Sequence, residues 1–152
     1  MAKPSDPALA ASLAQLAQVM RDTRDDWWVI GSAAVALHGG DPGEIADIDV
    51  IVSRRDLDAL YERLSLTYTP DAGKAMFRSQ RFGRWTEPAL DVEFMAGLQV
   101  LRGGQWLSVQ VQSRETIRCS DVEVLVPSRG ELIAILELFG REKDLARAAT
   151  LS

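Results

Sequence analysis

The sequence predicts an α+β domain, because it contains segments of strand periodicity and of helical periodicity, and the β-rich residues 105–126 are followed by two helices. Two short apolar runs that alternate with acids, residues 47–52 and 89–95, indicate buried strands. Residues 5–23 and 54–65 instead carry apolar residues at helical spacing, as does the segment after Pro127. A chain of 152 residues can bury one core, so we expect a single domain over residues 1–152.

The predicted N-terminal helix, residues 5–23, has the signals of a packing element. Ser5 or Asp6 can cap it, and Pro7 suits its first turn. Its apolar residues recur at helical spacing and are expected to face the core: Leu9, Leu13, Leu16 and Met20. We therefore assign this helix no functional role beyond supporting the strand that follows.

A predicted strand at residues 27–30 ends at Gly31-Ser32, where a short helix of small residues begins. Free backbone N–H groups and the positive dipole end at the start of a helix favour an anion. Glycine allows the backbone to approach a ligand closely, and the Ser32 hydroxyl adds a donor. We expect Gly31 and Ser32 to bind the phosphates of a nucleotide.

Asp47 and Asp49 alternate with branched apolar residues on the next predicted strand. Side chains two positions apart on a strand point to the same face, so the two carboxylates should project together. Adjacent like charges are best tolerated when one of the carboxylates is protonated or when a cation lies between them. Mg²⁺ prefers oxygen ligands, and two such ions about 3.5–4 Å apart can activate an attacking oxygen and stabilise a leaving one.

Basic residues are concentrated in residues 74–86, where Lys74, Arg78, Arg81 and Arg84 occur with no acid among them. If this segment is one continuous strand, its even-numbered residues Lys74, Arg78 and Arg84 have the same parity and should point to the same face. The segment could bind phosphates or an acceptor, or form the outer face of a hairpin. In the helix before it, residues 54–65, charges such as Asp56 are expected to face solvent.

The strand at residues 89–95 carries Asp91 and Glu93 on one face. Residues 115–119 and 122–126 are then predicted to form a hairpin around a polar turn. In the helix after Pro127, Ser128 is a candidate cap, with Glu131 three residues on as in a capping box. A last helix begins near Arg141.

Ile30-Gly31-Ser32, fourteen intervening residues, then Asp47-Ile48-Asp49-Val50 resemble the signature of the nucleotidyltransferase superfamily, which has the polymerase-beta-like fold. The resemblance extends to the C-terminal end, where a proline precedes a helix and Arg-x-Lys-Asp follows. Within the superfamily, the chain looks most like the small bacterial group that includes AbiEii-type toxins and minimal nucleotidyltransferases.

This resemblance implies a mixed sheet flanked by helices, with further helices at the C-terminus. It implies Mg²⁺-dependent transfer of a nucleoside monophosphate from a nucleoside triphosphate, such as ATP, to a hydroxyl. Asp47, Asp49 and Asp91 would be the catalytic and metal-binding carboxylates, with Glu93 as second choice for the third. Gly31 and Ser32 would bind the nucleotide, and from the basic segment we predict that Arg78 and Arg84 bind it as well.

The acceptor remains open among a small molecule, an RNA end and a protein side chain. One version of this hypothesis is that the protein is the toxin of a toxin–antitoxin pair and has a small protein partner. Relatives commonly carry Arg-x-Thr before the Asp-x-Asp motif, where this chain has Gly43 and Ile45, and a lysine where it has Glu137. A catalytically weakened binding module is therefore the alternative, and a structural domain with surface acids is the third hypothesis.

The composition limits the remaining classes of function. A net charge of −5 argues against broad nucleic-acid binding, which requires an excess of lysine and arginine. The sequence has no run of eighteen apolar residues and no secretory signal, so we expect a cytoplasmic protein. The single cysteine, Cys119, excludes a disulfide within the chain and a cysteine-based zinc site.

Overall fold

A computed structural model describes residues 6–68 and 75–152. Within these ranges the helices are α1 (Pro7–Val19), α2 (Gly31–Leu37), α3 (Arg54–Arg63), α4 (Arg129–Phe139) and α5 (Glu142–Leu151), with a 3₁₀ turn at Met20–Asp22. The strands are β1 (Trp28–Ile30), β2 (Asp47–Ile51), β3 (Phe77–Arg78), β4 (Arg81–Trp85), β5 (Asp91–Ala96), β6 (Gln99–Arg102), β7 (Gln105–Ser108), β8 (Glu115–Cys119) and β9 (Val122–Val126). No helix in the described part of the chain is long and apolar enough to cross a membrane.

A four-stranded mixed sheet with the order β1-β2-β5-β4 forms the centre of the fold. Strands β2 and β5 pair in parallel, whereas β1 and β4 pair antiparallel to their neighbours. A second sheet has the order β3-β6-β7, and β8 and β9 form the predicted hairpin. The predicted α+β class and the mixed sheet with flanking and C-terminal helices are confirmed.

Helix α1 and its continuation through Asp22 match the predicted N-terminal helix. Ser5, one of the two predicted caps, lies outside the described residues. Asp6 caps the helix, because its carboxylate accepts a hydrogen bond from the N–H of Ala8 at 2.9 Å. The four predicted core residues of this helix, Leu9, Leu13, Leu16 and Met20, are buried.

The two faces of the central sheet have different environments. Ile48 and Val50 of β2 lie in the main hydrophobic core, with Val92 and Phe94 of β5. The opposite face carries the acids of β2 and β5 at its start and a smaller apolar cluster, which includes Ile51 and Met95, further along. The acids therefore lie on the sheet face away from the main core.

Asp56 on α3 does not face solvent, contrary to the sequence-based expectation. It is 4% exposed, and its carboxylate accepts hydrogen bonds from the backbone N–H groups of Arg24 at 2.9 Å and Asp25 at 2.8 Å. These two donors lie in the turn before β1, where a charged acceptor satisfies them. Helical spacing gives no indication of such a partner, which lies 31 and 32 residues earlier in the chain.

The carboxylate of Glu131 joins helix α4 to the segment before β8. It accepts hydrogen bonds from the backbone N–H of Gln112 at 2.9 Å and of Ser113 at 2.7 Å, and from the Ser113 hydroxyl. Ser128 caps α4 as predicted, but Glu131 binds this neighbouring segment instead of closing a capping box. Burial raises the pKa of Glu131, and the hydrogen bonds from Ser113 and Gln112 lower it by more, so the pKa is below 4.5.

We expect Glu131→Gln to lower the free energy of unfolding at neutral pH by about 1–2 kcal/mol, because charge-assisted hydrogen bonds become weaker. Since the folded-state pKa is lowered, the carboxylate stabilises the fold above pH 4.5 and loses this contribution as the pH falls through its folded-state pKa. Urea unfolding at several pH values measures both effects. The difference between variant and wild type should shrink in acid, and a difference independent of pH would contradict the assignment.

Candidate active site

Four carboxylates lie on one face of the central sheet because of the register between β2 and β5. In this parallel pair Asp47 is the partner of Asp91, and Asp49 is the partner of Glu93. Partner residues on neighbouring strands point to the same face of a sheet, as do residues two apart on one strand. The acids of the two strands therefore form a single acidic face of the sheet.

Three of these residues, Asp47, Asp49 and Glu93, form the carboxylate cluster. Each offers an oxygen atom, and these oxygens all lie within 4.8 Å of one another. Two oxygens on opposite sides of one Mg²⁺ ion are about 4.2 Å apart, since each Mg–O distance is about 2.1 Å. The number, type and spacing of the oxygen donors therefore fit a divalent cation.

The position of Asp91 differs from the sequence-based expectation for the third ligand. Its side chain is 40% exposed and accepts a hydrogen bond from Arg84 Nη1 at 3.3 Å. The Glu93 side chain is 5% exposed and lies in the carboxylate cluster, of which Asp91 is not a member. Asp91 is level with Asp47 at the outer end of the pair, whereas Glu93 is one pleat further in and has a longer side chain. The geometry thus favours Glu93, the second choice from the sequence, as the third ligand.

Arg84 is brought to the acidic face by β4, where it is the antiparallel partner of Glu93. Its guanidinium contacts the carboxylates of both Glu93 and Asp91. The sequence predicted Arg84 as a nucleotide-binding residue, and the structure places it beside two of the acids. The spacing of basic residues gave no sign that this arginine pairs with the acids of the next strand.

Gly31 lies against the carboxylate cluster at the junction of β1 and α2. It has a φ of +69°, and a Cβ atom built at this position would be 3.0 Å from Asp49 Oδ2. Ser32 follows it at the start of α2 and is half-buried. Glycine favours the left-handed backbone here and lets the Asp49 carboxylate approach closely.

The other predicted basic residues lie in different places. Arg78 is on β3 in the second sheet, where its Nε donates to Gln99 Oε1 at 2.6 Å and its guanidinium lies over the Trp106 ring. Arg81 pairs with Asp58. Lys74 lies outside the described residues. Residues 77–78 and 81–85 form separate strands in separate sheets, so the parity predicted for one continuous strand is wrong.

The loop before the Asp-x-Asp motif is fastened to α5. Arg147 Nε donates to the carbonyl oxygen of Pro42 at 2.7 Å, and the N–H of Asp41 donates to Thr150 Oγ1 at 3.0 Å. A groove of about 290 Å³ lies between this loop and α5 and includes Gly43 and Lys143 in its lining. Arg147 thus holds the backbone of the loop that contains Gly43.

His38 has a structural role at the end of α2. It is the C-cap residue, and its Nε2 lies 2.8 Å from the carbonyl oxygen of Pro127. Its own carbonyl oxygen accepts a hydrogen bond from Arg129 Nη2. These contacts join α2 to the start of α4.

The chain matches no protein-family model and no curated protein sequence. Solved structures do resemble it. TM1012 of Thermotoga maritima, described as a nucleotidyltransferase, has a TM-score of 0.66 and 21% identity, over 88% of this chain and 86% of that one. The antibiotic-resistance factor ANT(2'')-Ia has a TM-score of 0.60 and 11% identity, over 96% of this chain and 83% of that one. Lincomycin-bound LnuA, a lincosamide antibiotic adenylyltransferase, has a TM-score of 0.57 and 12% identity, over 97% of this chain and 98% of that one.

The protein has the nucleotidyltransferase fold. The fold that the Gly-Ser and Asp-x-Asp motifs indicated is therefore confirmed. Similarity at 11% to 21% identity establishes a shared fold and leaves the substrate and the activity as separate questions. The narrower assignment to the AbiEii-type group stays a prediction.

Proposed function

We propose that the protein is a magnesium-dependent nucleotidyltransferase that moves a nucleoside monophosphate from a nucleoside triphosphate to a hydroxyl acceptor. The observation that carries this proposal is the carboxylate cluster of Asp47, Asp49 and Glu93 beside Gly31 on a nucleotidyltransferase fold. Oxygen ligands from two strands at this spacing are the chemistry that Mg²⁺ requires. The cation in turn suits the phosphates of a nucleotide.

In the proposed reaction, the acceptor oxygen bonds to the α-phosphorus, the bond from that phosphorus to the bridging oxygen breaks, and pyrophosphate leaves. Asp47, Asp49 and Glu93 would hold Mg²⁺, which when bound supplies positive charge that stabilises the phosphate oxygens in the transition state. Asp91 lies at the outer end of the strand pair and its side chain is 40% exposed, so an incoming hydroxyl can reach it. We assign Asp91 the role of accepting the proton of that hydroxyl.

Gly31 and Ser32 are proposed to bind the nucleotide phosphates. The absence of a side chain at Gly31 lets the Asp49 carboxylate lie close to its backbone, so phosphates bound next to Asp49 would lie beside this segment. The Ser32 hydroxyl adds a second donor there. Arg78, predicted to bind nucleotide as well, is held by Gln99 and Trp106 in the second sheet, and its role stays a prediction.

The acceptor is one of three classes: a small molecule, an RNA end or a protein side chain. LnuA is an antibiotic adenylyltransferase, which makes small hydroxylated molecules the first class to test. If the protein is instead a toxin with a small protein partner, we expect its acceptor to be a protein side chain or an RNA end. We expect ATP to be one of the accepted nucleotides, and the other three common triphosphates belong in the same assay.

The test is an assay of the full chain with each α-labelled nucleoside triphosphate, with Mg²⁺ or with EDTA. Release of pyrophosphate together with label transfer to one acceptor class supports the proposal. Calorimetric titration of the same nucleotides measures binding independently of the acceptor. If the wild-type protein binds no nucleotide in Mg²⁺ and gives the same titration as Asp47→Ala, the proposal is wrong.

A catalytically weakened binding module is the second candidate, and a specific observation favours it. Gly43 and Ile45 stand where the superfamily commonly has Arg and Thr, and Glu44 between them adds a negative charge near the expected phosphates. Thermal unfolding separates the candidates, because a ligand that binds only the folded state raises the melting temperature. Mg²⁺ with nucleotide should raise it for the enzyme and leave it unchanged for the module.

A further inference from the structure

The guanidinium of Arg84 is built into the edge of the carboxylate cluster. The backbone N–H and C=O of Arg84 bond to Thr67, at 2.8 Å and 2.9 Å. Arg84 and Glu93 therefore form a non-hydrogen-bonded antiparallel pair, the kind in which cross-strand side chains lie closest. From this position the guanidinium contacts Glu93 and Asp91 at the same time.

We infer that Arg84 is a resident counter-cation of the metal site, which weakens the binding of a divalent ion alone and favours its binding together with a nucleotide. The inference rests on the proposed function and deepens it, because it assigns the regulation of metal loading to one positioning residue. Arg84 would affect metal binding through its ion pair with Glu93, the third proposed ligand.

Without a divalent ion, the carboxylate cluster depends on Arg84 for positive charge. Asp47, Asp49 and Glu93 place three carboxylates within 4.8 Å of one another, and Glu93 is 5% exposed. An ionised carboxylate that has lost most of its water requires a nearby positive charge or strong hydrogen bonds. The Arg84 guanidinium supplies both, because its planar fork can donate to two carboxylates at once.

A divalent ion and Arg84 compete for the carboxylate of Glu93. A divalent ion bound to Glu93 must share that carboxylate with Arg84, and the two cations repel each other at short range. The repulsion between charges several ångströms apart in a partly exposed site corresponds to roughly a tenfold loss of metal affinity. The phosphates of a nucleotide reverse this effect, because the same guanidinium then compensates additional negative charge.

The test is calorimetric titration of the full chain with Mn²⁺ alone, and with ATP in saturating Mn²⁺. Arg84→Gln should bind Mn²⁺ alone about tenfold more tightly and ATP about tenfold more weakly than the wild type. Arg84→Lys keeps the charge and should bind Mn²⁺ within about threefold of the wild type. The opposite signs of the two effects distinguish this role from a structural one, since loss of local structure would weaken both.

Arg81→Gln is the matched control on the same strand. Arg81 pairs with Asp58 at 2.7 Å and lies over the Tyr61 ring, so its removal changes the net charge equally without exposing the carboxylate cluster. It should leave both affinities within about twofold, since screening makes a distant surface charge count little.

The outcomes separate this inference from the proposed function. A wild-type protein that binds Mn²⁺, with Arg84→Gln binding it equally or more weakly, overturns the inference and leaves the proposed function standing. A wild-type protein that binds neither Mn²⁺ nor ATP overturns both. If Arg84→Gln is unfolded in circular dichroism, Arg84→Lys decides the matter, because a Mn²⁺ affinity more than tenfold from the wild type would overturn the role of the charge.

Discussion

Glu93→Gln is expected to lower the rate of nucleotidyl transfer about 10³-fold and to weaken Mn²⁺ binding about 10²-fold, because an amide replaces one charged ligand of the carboxylate cluster. The shape of the side chain is unchanged, so the strand pairing with Arg84 should persist. Single-turnover transfer with saturating ATP measures the first effect. Calorimetric titration with Mn²⁺ measures the second and requires no knowledge of the acceptor.

Asp91→Asn is the matched variant on the same strand. Asp91 is half-exposed and lies outside the carboxylate cluster, so its loss should leave Mn²⁺ affinity within about threefold and lower the transfer rate about 10²-fold, as expected for a lost general base. The rate of this variant should recover at higher pH, where the acceptor ionises without help. If Asp91→Asn loses Mn²⁺ affinity and Glu93→Gln retains it, the sequence-based choice of Asp91 as ligand is correct and the roles proposed here are wrong.

The part of the site that could be predicted from the sequence depends on short-range rules. Alternation along a strand places Asp47 and Asp49 on one face, and the same rule places Asp91 and Glu93 together. The glycine at position 31 is a local requirement too, since it lies at a strand-to-helix junction. These local features, taken together, indicated the nucleotidyltransferase fold that the similar structures confirm.

The choice between Asp91 and Glu93 depends on a long-range register and could not be predicted in this way. Asp47 is 44 residues from Asp91 in the chain, and both acids of β5 satisfy the same alternation. A shift of two residues between β2 and β5 would keep every apolar side chain on its own face and exchange the roles of the acids. The sequence pattern is therefore compatible with either residue as the ligand.

Pairings between distant polar groups were missed for a related reason. Asp56 was expected to face solvent because it lies on a charged helix, yet it binds two N–H groups in the turn before β1. Arg84 was expected to meet phosphates, and it contacts two acids of the neighbouring strand. A charged residue in a sequence signals exposure or a partner, and only the tertiary structure identifies the partner.

Gly31→Ala is expected to lower the free energy of unfolding by about 1–2 kcal/mol and to weaken Mn²⁺ binding about tenfold. The first effect follows from a φ of +69°, which an L-residue with a side chain adopts at a cost. The second follows from the new methyl group, which would lie 3.0 Å from Asp49 Oδ2 and push that carboxylate out of place. Urea unfolding and calorimetric titration with Mn²⁺ measure the two effects on the same protein samples.

Gly39→Ala separates the backbone cost from the effect on the carboxylate. Gly39 has a φ of +84°, and a Cβ atom built there has no heavy atom of the described residues beyond its chain neighbours within 4 Å. This variant should therefore lose about the same 1–2 kcal/mol of stability and keep the Mn²⁺ affinity of the wild type. If both variants weaken Mn²⁺ binding equally, the effect of Gly31 comes from general destabilisation. If Gly31→Ala alone weakens it, the lack of a side chain at Gly31 is what allows Asp49 to take its position for the metal.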